Sequence, residues 1–220
     1  MDILKLVSAF LVICIHNPYK NAFWFWVEPW TRIAVPLFFM ISGYFYINEH
    51  QLTGGGQIVK IFKLCILWYT IYWIMEFGVK LHPVSMQGWT EYTRENFFAE
   101  FMKFLLANKP MLNLGGALWY LFALGYVYLI YGFAAKTRKI SYLIRAGALL
   151  MILQYVFGMY SFVFGMPTAA IRTRNFLMTG LPFFGLGIWL RQTLKSKPQI
   201  LKHSGFIKVM LICSLFLSVV

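Results

Sequence analysis

Long apolar runs separated by short polar stretches dominate the chain. They cover Ile3 to Ile15, Ile33 to Ile47, Ile58 to Val79, Ala117 to Ala135, Ile140 to Phe164, Phe176 to Leu190 and Phe206 to Val220. Several reach the roughly 20 residues that a helix needs to cross about 30 Å of hydrocarbon. β-Branched, Leu and aromatic residues mix in these runs without the alternation of a barrel strand, and an open sheet would leave backbone groups unpaired in lipid. The pattern predicts an all-α, polytopic transmembrane helical bundle. Its helices fall at about 2–16, 29–48, 58–79, 116–135, 140–160 and 175–191, with a seventh starting at 206 and a glycine-rich turn at Gly54-Gly55-Gly56. No internal repeat or domain boundary appears, so residues 1–220 read as a single membrane domain.

The first run follows Met1-Asp2 directly and closes at His16-Asn17-Pro18, without the basic leader and small-residue cleavage site of a secretory signal. It reads as a transmembrane helix that has lost a few upstream residues. Leu211 to Val220 stops inside an apolar segment. The expectation is a chain incomplete at both ends. The longest non-spanning segment runs from Lys80 to Gly115. Within it, Glu91 to Ala107 places Phe97, Phe98, Phe101, Phe104 and Leu105 on one side at near-helical spacing, as in a helix lying on the membrane surface or capping a cavity.

Composition strengthens the membrane reading: 60% of residues are hydrophobic and 12% charged, too few polar side chains to build a water-facing surface. The formal charge of +13 follows from where the cations sit. An N-terminus in the cytoplasm gives the inner loops Lys5, Lys60, Lys63, Lys136, Arg138, Lys139, Arg145 and the Lys/Arg residues from Arg191 onward. The outer cations are spread along a longer stretch that also holds Glu91, Glu95 and Glu100. The inner density satisfies the positive-inside rule. No basic face on a soluble fold accompanies the charge, which argues against nucleic acid as a partner. Cys14, Cys65 and Cys213 fall singly in apolar runs, so neither a disulfide framework nor a metal site is indicated, and they read as buried small hydrophobes.

The informative residues are polar ones placed where lipid makes them costly. Lys5 and His16 stand eleven positions apart in the first helix, on roughly one face and about 16 Å apart along the axis. Lys5 either holds an anionic group at the inner mouth or snorkels to the headgroups; His16 either acts as a general base or closes the helix before Pro18. Arg32 enters the second helix, where Pro36 releases a backbone carbonyl and Ser42-Gly43 permits close helix approach. Arg172-Thr173-Arg174-Asn175 leads into Gly180-Leu181-Pro182-Phe183-Phe184-Gly185-Leu186-Gly187. Arginines at a helix entrance bind an anion, polarise a carbonyl or anchor the interface. Leu118-Trp119-Tyr120-Leu121 opens the fourth helix and by itself reads as an aromatic belt.

Taken in order and spacing, four of these features resemble the acyltransferase family 3 membrane proteins. They are the Asp-Ile-Leu-Lys opening with His16, Arg32 with Val35-Pro36-Leu37-Phe38-Phe39 and Ser42-Gly43-Tyr44, Leu118 to Leu121, and Thr173-Arg174-Asn175 before Gly180 to Phe184. The resemblance implies about ten membrane helices, of which this chain would hold about seven. It implies transfer of an acyl group, commonly acetyl, from cytoplasmic acyl-coenzyme A to a hydroxyl or amine of an extracytoplasmic glycan or envelope molecule, in a bacterial inner or plasma membrane. The family's helix-1 basic residue and histidine map onto Lys5 and His16; Lys stands where many members have Arg, which keeps the charge and loses the planar fork. The candidate catalytic residues are His16, with Arg32 and Arg174 to orient the acceptor or stabilise the oxyanion. Lys5, Lys60 and Lys63 are candidates for the coenzyme A phosphates, and Trp119, Tyr120, Arg172 and Asn175 for the acceptor, with membrane lipids as the remaining partner and no metal. The competing reading is a small-molecule or amino-acid transporter domain of the same membrane fold.

Overall fold

The computed structural model describes residues 2–16, 27–28, 30–53, 56–78, 85–109, 112, 116, 118–156, 163, 165 and 174–196. Everything regular in these residues is helical: α1 (Asp2–His16), α2 (Ala34–Thr53), α3 (Gly56–Trp73), α4 (Met86–Glu95), α5 (Phe97–Ala107), α6 (Trp119–Lys136), α7 (Ile140–Gln154) and α8 (Leu181–Ser196). π-Helical turns adjoin two of these helices. Ile74–Gly78 extends α3, and Phe176–Gly180 feeds α8. The all-α expectation holds. Among the described residues one helix, Gly56–Gly78, is long and apolar enough to cross a membrane, and Leu6–His16, Ala34–Tyr46 and Ile140–Gln154 are shorter apolar helices. The proposed seventh helix at 206 and the turn at Gly54-Gly55 lie outside the described residues, as does Cys213.

Local chemistry explains where the helices differ from the sequence expectation. The second helix was expected from 29, but a turn at Arg32-Ile33 precedes the start at Ala34. Pro36 has no N–H to offer the Arg32 carbonyl, so a continuous helix cannot close there. The segment expected to lie on the surface divides at Asn96, whose side-chain amide donates to the Tyr92 carbonyl (3.0 Å) and ends α4. Ser85 opens α4 by accepting from the Gly88 N–H, the usual serine cap. Phe97 and Phe98 face outward while Phe104 turns in against Phe122 and Tyr126, so α5 splits its aromatic side between exterior and bundle. On the same helix the Glu100 carboxylate, 2.6 Å from the Lys103 ammonium, raises the lysine above its ordinary pKa through their hydrogen bond.

The core lies among α2, α6 and α8. Phe184 sits at its centre, with the rings of Tyr46, Tyr128 and Tyr131 at 5.4, 5.1 and 4.9 Å. Close packing and buried hydrogen bonds hold these helices together. Both are present where α2 and α8 run side by side in the same direction. A Cβ at Gly43 would overlap the Phe184 carbonyl, and one at Gly187 the Met40 carbonyl. The close approach anticipated at Gly43 is thus realised, with Gly187 as its counterpart. Tyr131 donates its hydroxyl to the Leu181 carbonyl (3.1 Å), and Arg191 donates to the Tyr44 carbonyl (2.7 Å) with its guanidinium over the Tyr44 ring. Cys14 and Cys65 are buried, as anticipated.

Candidate functional site

The polar chemistry best defined by its contacts surrounds the π-turn Phe176–Gly180. Pro182, two residues beyond its end, cannot donate a backbone hydrogen bond into the preceding turn, which favours the wider π geometry there. The Asn175 carbonyl accepts from both Thr179 and Gly180 N–H groups. Its side-chain oxygen accepts from Met178 N–H at 2.7 Å. The orphan Phe176 N–H is met from 68 positions away in sequence by the Asn108 side-chain oxygen, at 2.8 Å. Gln154, at the end of α7, donates to the Thr179 hydroxyl at 3.2 Å. Asn108, Asn175 and Thr179 are all buried. Two asparagines thus satisfy the opening amides of one turn, a pairing that a buried helix start requires.

Asn108 is built for this reach by the end of α5. It follows Ala107 in the left-handed conformation, φ 54° and ψ 25°, which asparagine tolerates better than other residues with a Cβ. Phe104, one turn earlier, packs edge-on against Phe122 at 4.9 Å, and Tyr126 packs against Phe176 at 5.4 Å. The aromatic chain and the asparagine bond run in parallel, both joining α5 to the π-turn.

The residues singled out from the sequence distribute around this centre. Asn175 is within it, and Arg174 precedes it, exposed. Tyr120 is brought to α2, its ring 4.9 Å from Phe39 and its hydroxyl bonded to Ser42, and half-buried Trp119 packs beside the same core. Arg32 is exposed and donates to Glu28 at 2.9 Å. His16 is exposed as the last residue of α1. No hydrogen bond or ion pair links His16, Arg32 and Arg174 among the described residues. Lys60 and Lys63 are exposed on α3. Lys5 lies in α1 by its backbone, its side chain outside what is described, and Arg172 lies outside the described residues.

Sequence reasoning missed Asn108, Gln154 and Glu76. Glu76 is fully buried in the π-turn that ends α3, where the neighbouring Phe77 packs against Trp89 of α4 at 5.2 Å. A carboxylate inside an otherwise apolar run was the available signal for Glu76, since ionisable residues in membrane helices are retained for a purpose. Asn108 and Gln154 gave no such signal, because their partners are distant in sequence.

No curated protein and no solved structure matches the chain. The family model described as an acyltransferase domain, that of acyltransferase family 3, matches residues 1–220, the whole of the sequence. This match places the chain in acyltransferase family 3, a generally membrane-embedded family of acyltransferases.

Proposed function

We propose that the protein moves an acyl group, acetyl in the simplest case, from cytoplasmic acyl-coenzyme A to a hydroxyl or amine on an extracytoplasmic glycan or other envelope molecule. The observation that carries this reading is His16 at the exposed end of the first helix, eleven positions after Lys5, in a chain matched throughout by the family model. With the N-terminus cytoplasmic, that helix puts a cation toward the donor side and an imidazole toward the acceptor side of a bacterial inner or plasma membrane. The full protein is read as a polytopic bundle, one membrane domain, with a path for the acyl group between its helices.

The chemistry divides as follows. His16 takes the proton of the acceptor hydroxyl, or carries the acyl group transiently, because imidazole titrates near neutral pH. The acceptor oxygen bonds to the acyl carbon, the thioester C–S bond breaks, and the proton ends on the coenzyme A thiol. Arg32, Arg172 and Arg174 orient the acceptor or stabilise the oxyanion. Lys5, Lys60 and Lys63 meet the coenzyme A phosphates as point charges. Asn175, with Trp119 and Tyr120, shapes the acceptor side.

The test is transfer of radiolabelled acetyl from acetyl-coenzyme A by membranes containing the protein, with envelope acceptors supplied. Label entering the envelope fraction above that of empty membranes is expected. Donor left intact would turn attention to the transporter reading and to amino-acid uptake.

A further inference from the structure

We propose that Asn108 is a positioning residue for acceptor binding, latching Arg174-Asn175 to α5; this rests on the acyl-transfer reading above. Three observations converge on it. Asn108 is completely buried, and its side-chain oxygen holds Phe176 N–H, two residues after Arg174. Among the described residues, its side-chain nitrogen is buried without a hydrogen-bond partner. An asparagine placed there for stability alone would use both halves of its amide, since a buried donor left unmade is costly. Its backbone is in the left-handed region, so the side chain departs from the end of α5 in one direction, toward the π-turn.

The consequence for the site is mechanical. Arg174 is exposed and stands next to Asn175, the cap of the turn that begins at Phe176. Asn175 caps Met178, and Asn108 caps Phe176, so two asparagines hold the chain immediately after Arg174. The packing of Phe104 on Tyr126, and of Tyr126 on Phe176, keeps α5 and the turn together as one unit. Removing the Asn108 oxygen frees the first amide of that turn and leaves the aromatic contacts in place. Arg174 then presents its guanidinium to the acceptor from a broader range of positions.

Water is the competing acceptor. It gives the free acid by the same C–S cleavage, with a C–O bond to water in place of the acceptor, and needs no positioning by Arg174. The partition of labelled acetyl between envelope acceptor and free acetate therefore reports acceptor positioning separately from donor chemistry.

The test substitutes Asn108→Gly, which suits the left-handed backbone and removes only the latch. Hydrogen exchange of the peptide covering residues 174–180 is followed alongside the partition of label from acetyl-coenzyme A. The expected result is faster exchange confined to that peptide and a transfer-to-hydrolysis ratio lowered by about tenfold, the scale of one lost hydrogen bond. A ratio equal to wild type with exchange increased would show a purely structural latch and overturn the proposal. Exchange unchanged would show that the latch does not hold the turn, and overturns it as well. Wild-type membranes that consume no donor would instead overturn the acyl-transfer reading, whatever the exchange reports.

Discussion

At the scale of single residues, asparagine accounts for more of the site than the charged residues that stand out in the sequence. Asn175 accepts from Met178 N–H in a buried setting, so Asn175→Ala should cost about 1 kcal/mol, as for other caps. A lowered thermal midpoint in detergent checks it. The Arg32–Glu28 pair is different, its side chains 54% and 45% exposed. Exposed pairs contribute between about 0 and 1 kcal/mol, so Glu28→Ala should leave the midpoint nearly unchanged while Asn175→Ala lowers it; equal effects would contradict the assignment. Cys14 and Cys65 were legible as buried thiols because an isolated cysteine in an apolar run has few alternatives. Asn108 was not legible, since an asparagine after a surface-lying helix gives no sign of a partner 68 positions away.

At the scale of helices, the apolar runs located most elements, and α1 matches its expected span of 2–16. Departures gather where a backbone hydrogen bond is removed or redirected. Pro36 breaks the start of α2, Asn96 divides the segment expected to lie on the surface, and a π-turn precedes Pro182. Hydrophobic periodicity cannot register these, because it reports which face is apolar and not whether each carbonyl has a donor. The α2–α8 crossing was half legible, through Gly43; its partner Gly187 was visible only as part of a glycine-rich string. Gly187→Val should push the two helices apart and cost about 1–3 kcal/mol, the usual range for overpacking. Gly132→Ala is the control, since an added Cβ there meets nothing closer than the Tyr46 hydroxyl at 3.9 Å. Comparable melting of both variants would argue against the tight crossing.

At the scale of the whole molecule, the positive-inside pattern gives a topology that labelling can check. Ser85 and Thr137 are both exposed and belong to opposite sides of the membrane in this reading. In a background without the native cysteines, Ser85→Cys should react from outside intact cells with an impermeant maleimide, and Thr137→Cys only after lysis. The reverse pattern would invert the helix bundle and place His16 on the donor side. Family membership was legible because four motifs keep their order across the chain, and the match over residues 1–220 agrees. The arrangement around the π-turn was not, because it depends on contacts between α5, α7 and α8 that spacing alone does not encode.

The most direct test of the acyl-transfer reading compares wild-type and His16→Ala membranes for release of label from acetyl-coenzyme A into envelope acceptors, with protein levels and membrane insertion matched. The predicted result is loss of transfer in His16→Ala with insertion unchanged. Transfer by His16→Ala at the wild-type rate would contradict the role given to the first helix, and with it the proposed mechanism.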